Sequence, residues 1–113
     1  MKTLPKVFLG IAAALMLSAC GESAEQKEAI IRANIQIMSE DGVKARLKDP
    51  SSAQFTNQFV SRRGAACGEV NSKNGFGGFT GAKRYIYAGK DLAIFESDMA
   101  AGEFDKSWDQ LCT

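Results

Sequence analysis

An apolar run from Val7 to Leu17, interrupted by Gly10 alone, ends three residues before a cysteine, Cys20, and this start limits what the rest of the chain can build. Eleven residues span about 16 Å as a helix, against roughly 30 Å of membrane hydrocarbon. The run is therefore too short for a permanent membrane-spanning anchor. Lys2 and Lys6 precede it and the small residues Ser18 and Ala19 follow it, which is the pattern of a signal peptide removed on export. Residues 20–113 then remain to fold. That length suits one small domain with a marginal core, for which a covalent staple is a natural supplement.

The stretch Leu17-Ser18-Ala19-Cys20 resembles the lipobox of bacterial lipoproteins. The resemblance implies cleavage after Ala19 and lipidation of Cys20, with a diacylglyceryl group on its sulfur and a further acyl chain on its amine. Several chains, each contributing about 0.8 kcal/mol per buried methylene, anchor far more firmly than a single one. Position 21 is Gly, where an Asp in many Gram-negative lipoproteins favours the inner membrane. The implied location is the outer membrane, facing the periplasm. Lipidation also settles the cysteine count. Of Cys20, Cys67 and Cys112 it consumes the first, and in an oxidising compartment the other two form the expected disulfide. Such a bridge would contribute about 4 kcal/mol in the chain-entropy model. The alternatives are an ordinary secretory cleavage that leaves Cys20 a plain thiol, and two separately buried thiols at Cys67 and Cys112.

Charge narrows the function classes. Without Lys2 and Lys6 the 14 basic side chains fall to 12, against 13 acidic ones. A near-neutral balance lacks the basic footprint of a nucleic-acid binder. The pairs Arg62-Arg63 and Lys83-Arg84 read as solvated strand ends. With no histidine and two cysteines left for pairing, neither a zinc site nor any other metal or cofactor is expected.

Gly21 to Ala24 makes a spacer reaching at most about 14 Å, so the domain, residues 25–113, starts close to the membrane. Glu25 to Met38 reads as an amphipathic helix, with Ile31, Ile35 and Met38 at i, i+4 and i+7 and Ile30 and Ile37 alongside, a stripe expected to pack on a sheet, the alternative being a docking face for a partner helix. Ser39-Glu40-Asp41-Gly42 is a kink or break, after which helical spacing resumes through Val43 and Leu47 to Lys48 or Asp49. Asp49 caps a short turn with Pro50 in its first position. Gln54 to Arg62 is a strand with Phe55 and Phe59 on one face. Ala65 to Asn71 is a second, with Ala66, Gly68 and Val70 opposite Cys67 and Glu69. Lys83 to Ala88 alternates Tyr85 and Tyr87 against Arg84 and Ile86. Gly89-Lys90-Asp91 turns into a last strand, Leu92 to Glu96. Glu103 to Cys112 closes the chain as a helix whose Phe104, Trp108 and Leu111 form one stripe. The fold class is α+β: an N-terminal helix, an antiparallel meander of about four short strands covered on one face, and a C-terminal helix.

Between the second and third strands lies Ser72-Lys73-Asn74-Gly75-Phe76-Gly77-Gly78-Phe79-Thr80-Gly81. Its glycines permit positive φ and close approach. It matches neither a phosphate-binding loop nor a dinucleotide fingerprint. Phe76 and Phe79, with Tyr85 and Tyr87 on the neighbouring strand, form a candidate interaction surface, because aromatic side chains are efficient contact anchors. The opposing reading has the phenylalanines tucked under the helix. Glu69, Asp91, Glu96 and Asp98 show no spacing that singles out an acid–base pair. No catalytic residue is assigned, and an enzyme is not expected.

The segments LKDPSSAQF, CGEVNSKNGFGGFTG and KRYIYAG, across Val43 to Gly89, together resemble a group of small bacterial and phage proteins without an agreed activity. That resemblance implies a shared fold and nothing about chemistry. The resulting expectation is a lipid-anchored envelope protein, held to the membrane through Cys20, that binds an envelope protein partner. The alternatives are a structural accessory of the envelope, or a small inhibitor or exclusion factor of phage or plasmid origin.

Overall fold

A computed structural model describes residues 23–90 and 92–113. The signal segment, the lipobox with Cys20, the first two residues of the spacer, and Asp91 in the hairpin turn lie outside the described residues.

Helix α1 runs from Ala24 to Lys44. Ser23 caps it: its Oγ accepts the Gln26 N–H at 3.2 Å, and its own N–H donates to Gln26 Oε1 at 3.1 Å. This reciprocal box satisfies two amides that would otherwise lack partners. The helix passes without a break through Ser39-Glu40-Asp41-Gly42 and ends at Lys44, short of the Lys48 or Asp49 expected from spacing. Continuity has a packing cause. Ser39 and Val43 are fully buried, and a Cβ on Gly42 would fall 2.4 Å from Cε2 of Tyr87. The small residues that look like a helix breaker are the surface on which the helix meets the sheet.

A single 3-10 turn, Pro50–Ser52, comes next. Pro50 opens it as expected, but Asp49 does not cap its backbone. Instead the Ser51 hydroxyl donates to Asp49 Oδ1 at 2.8 Å, and that of Ser52 to the Asp49 carbonyl at 2.7 Å.

Four antiparallel strands, β1 (Gln54–Val60), β2 (Ala66–Asn71), β3 (Lys83–Tyr87) and β4 (Ala93–Phe95), pair in chain order as a meander. A second 3-10 turn, Glu96–Asp98, leads to helix α2, Glu103–Leu111. The α+β class, the strand order and both helices agree with the sequence reading.

The sheet is covered on both faces, not one. Val43, Ala66, Val70, Tyr85, Tyr87, Ala93 and Phe95 form a core under α1. Ala65, Cys67, Ile86, Phe104 and Cys112 form a second core under α2, joined by Ile94 and Trp108. The strands alternate between these two cores with the period of the pleat.

That alternation fails once, in β1. The pairing with β2 shifts between Thr56 and Phe59, and Asn57 takes a φ of +52°. A bulge of this kind inserts a residue and turns the rest of the strand to the other face. Phe55 accordingly meets the Tyr85 ring edge-on at 5.8 Å under α1, while Phe59 meets Trp108 at 5.9 Å under α2. The expectation that both phenylalanines share a face is therefore overturned.

Candidate functional site

The Cys67–Cys112 disulfide is present, with Cα atoms 6.1 Å apart across 45 positions of chain. Both cysteines are buried, one on β2 and one just after α2. The bridge fastens the last helix to the middle of the sheet.

Of the four aromatic residues proposed for the contact surface, the structure divides two from two. Tyr85 and Tyr87 point into the α1 core and are 0% and 5% exposed. Tyr85 accepts a hydrogen bond from Gln58 Nε2 at 3.3 Å, and burial pushes its phenol above its usual range. A Cβ on Gly68 would lie 2.9 Å from this hydroxyl, so the neighbouring glycine makes room for it. Both tyrosines are framework residues and leave the contact surface. The sequence grouped them correctly with each other, but with both faces covered neither set of alternate side chains is free.

Phe76 and Phe79 are 99% and 47% exposed. Their loop is shaped by one side chain. Asn74 Oδ1 accepts the Phe76 N–H at 2.9 Å and the Gly78 N–H at 3.2 Å. The Asn74 amide donates to the Gly78 carbonyl at 2.8 Å, and the Gly77 amide to the Asn74 carbonyl at 3.1 Å. Gly77, with φ of +87°, takes the turn that an L side chain rarely adopts. Below this tip Lys73 pairs with Phe79 in an isolated bridge, and Thr80 donates to the Ser72 carbonyl at 3.1 Å through its amide. Lys73 also lies over the Phe79 ring, 5.6 Å from its centre. The loop is thus a hydrogen-bonded extension of the β2–β3 hairpin that holds Phe76 clear of the domain.

Of the carboxylates considered for acid–base work, Glu69, Glu96 and Asp98 are engaged elsewhere, and Asp91 lies outside the described residues. Glu69 accepts from Asn57 Nδ2 at 3.1 Å rather than pairing with Arg84, its Cα partner on β3. Arg84 instead bridges Glu96 at 3.3 Å and Asp105 at 2.6 Å, and stacks over Phe104 and Trp108. It ties β3, the second 3-10 turn and α2 together, a role that its position beside Lys83 does not disclose.

Arg46 grips Asp98 through two bonds of 2.6 and 3.2 Å, donates to the Ala93 carbonyl at 2.7 Å, and lies over Phe95. The Arg46 guanidinium, assisted by the Phe95 amide, holds the Asp98 carboxyl below its usual range. A depressed folded-state pKa contributes stability above the unfolded value and loses it as pH falls through the folded one. The stability gap between the wild type and Arg46→Gln is expected to narrow in acid. Because the pair is partly exposed, the change should be no more than about 1 kcal/mol between neutrality and about pH 2. Urea midpoints across that range measure it, and a gap independent of pH would assign the stabilisation to the Ala93 carbonyl bond alone.

Helix α1 differs most from its expected role. Ile35 is half-buried, but Ile31 and Met38 are 57% and 54% exposed, and Ile30 and Ile37 are also open to solvent. No helix among the described residues is long and apolar enough to cross a membrane. Comparison with family models, curated proteins and solved structures finds no match to the chain.

Proposed function

We propose that this chain is a lipid-anchored envelope protein, attached through Cys20 at the outer membrane and facing the periplasm, whose β2–β3 loop docks on a protein partner. The observation that carries the docking part is Phe76, fully exposed on a tip that Asn74 holds in shape. Leaving a phenylalanine in water forgoes roughly 1.5–3 kcal/mol of burial. A preformed tip recovers that on binding without first ordering the loop. The anchoring part is supported by the lipobox pattern and by the capped helix that starts four residues after Cys20.

Crosslinking and capture with the processed protein should lose its specific partner about tenfold in Phe76→Ala/Phe79→Ala, while the melting temperature stays within about 2 °C. Unchanged capture overturns the docking site. Separately, Cys20→Ser should abolish acyl labelling and leave unprocessed precursor; labelling that persists overturns the anchor.

A second reading is favoured by the exposed isoleucines of α1. Ile30, Ile31, Ile37 and Met38 are each more than half exposed, which suits a structural accessory that packs by its helix. Capture lost in Ile30→Ser/Ile37→Ser but retained in the loop variant would select it.

A further inference from the structure

Where the chain leaves α1, an open cleft of about 180 Å³ lies between residues 46–48, the base of the β2–β3 loop and the end of β4. Four cationic side chains line it, Arg46, Lys48, Lys73 and Lys83, and no carboxylate among the described residues does. They come from separated stretches of sequence. Alternation along β3 sends Lys83 into this cleft and its neighbour Arg84 to the α2 side. The floor is apolar, made by Leu47, Val70 and Phe95.

We infer that this cleft binds a small phosphomonoester whose phosphate is carried on an apolar body. The division of labour among the cations selects that chemistry. Arg46, whose planar fork suits a carboxylate, already holds Asp98 with two bonds. Among the described residues Lys48, Lys73 and Lys83 form no salt bridge, although the charge of Lys83 also reaches the Asp98 carboxylate that Arg46 holds. Ammonium groups act as point charges without a preferred plane, and three of them favour a tetrahedral dianion over a planar monoanion. Asn74 and Ser97 also line the cleft. The Asn74 carbonyl oxygen is committed to the loop amides, so its Nδ2 is the group left to donate. The Leu47, Val70 and Phe95 floor removes from water whatever apolar group carries the phosphate. The volume lies below the roughly 300–1,000 Å³ of clefts that enclose drug-sized ligands, so the group held is of headgroup size.

This inference goes beyond the docking reading and does not depend on lipidation or on Phe76. The test titrates the full, processed chain in neutral detergent with phenyl phosphate, followed by amide chemical shifts in NMR. Saturable shifts should centre on residues 46–48, 72–74, 80, 83 and 97. Phenyl phosphate should bind about tenfold more tightly than inorganic phosphate, and phenol should give no saturable shift at these residues. Lys73→Gln/Lys83→Gln should weaken binding about tenfold and Lys48→Gln about threefold, while Phe76→Ala binds as the wild type. The single Lys48 variant keeps the test valid should the double variant fold poorly. A dihexanoyl phosphatidic acid arm separates two sources of the same chemistry: tighter binding at the same residues assigns a lipid headgroup, and equal or weaker binding a soluble phosphomonoester. Equal affinity in wild type and lysine variants, shifts spread equally to Arg62, Arg63 and Lys106, or no saturable binding would overturn the site.

Discussion

Cys67→Ala/Cys112→Ala is expected to lose about 4 kcal/mol of folding stability, because the bridge restrains a loop of 45 positions in the unfolded chain. For a domain of this size each kcal/mol shifts the midpoint by roughly 4–8 °C, so melting should fall by about 20 °C. Alanine avoids placing hydroxyl groups in a core where both cysteines are buried. The effect should concentrate on α2. Nine residues are too few for a stable isolated helix, and this one depends on Phe104, Trp108 and the bridge to stay on the sheet. Melting with and without dithiothreitol, followed by Trp108 fluorescence, measures both the size and the place of the loss. A shift under about 5 °C would mean that the Arg84 bridges and the aromatic contacts hold α2 without the covalent tie.

Gly42→Leu should rank next, with a loss of about 3 kcal/mol or more, and Gly42→Ala should lose about 1–2 kcal/mol. On an exposed helix the alanine change would have the opposite sign, because glycine in a helix interior costs about 1 kcal/mol relative to alanine. Here the new Cβ lies 2.4 Å from Cε2 and 3.0 Å from Cδ2 of Tyr87. That ring is packed among Val43, Ala66 and Ala93 and has little room to retreat. A double-mutant cycle with Tyr87→Val isolates the contact: removing the ring should make Gly42→Ala neutral or stabilising. If Gly42→Ala stabilises the otherwise wild-type protein, α1 does not approach the sheet this closely.

The same residue shows how far local pattern carries. Ser39-Glu40-Asp41-Gly42 has the composition of a helix stop, because propensity ranks glycine and serine without knowing what faces them. The helix runs through it because a close crossing over Tyr87 needs small side chains. Likewise strict alternation groups Phe55 with Phe59, and a bulge at Asn57 separates them. A bulge depends on how two strands pair, and a single strand's alternation does not encode it. At the loop, the glycines around Phe76 marked a candidate surface but left open whether its ring was exposed or tucked under the helix, and the fold leaves it in water. The exclusion of Tyr85 and Tyr87 was not legible, since it results from α1 lying on their face of the sheet. The cationic cleft had no sequence signal either. Lys48, Lys73 and Lys83 come together through the meander, and in the chain they look like solvated charges.

Apolar periodicity and turn residues were enough to establish two helices, four strands and their order as a meander, because each is written in a contiguous stretch of chain. The cysteine pairing was reachable from the count once the lipobox resemblance had set Cys20 aside. Which face each helix covers, where α1 ends, which aromatics stay in water and which cations share a cleft were decided in three dimensions. Those outcomes depend on contacts between segments tens of residues apart, and packing of this kind overrides local preference wherever two surfaces compete for the same side chains.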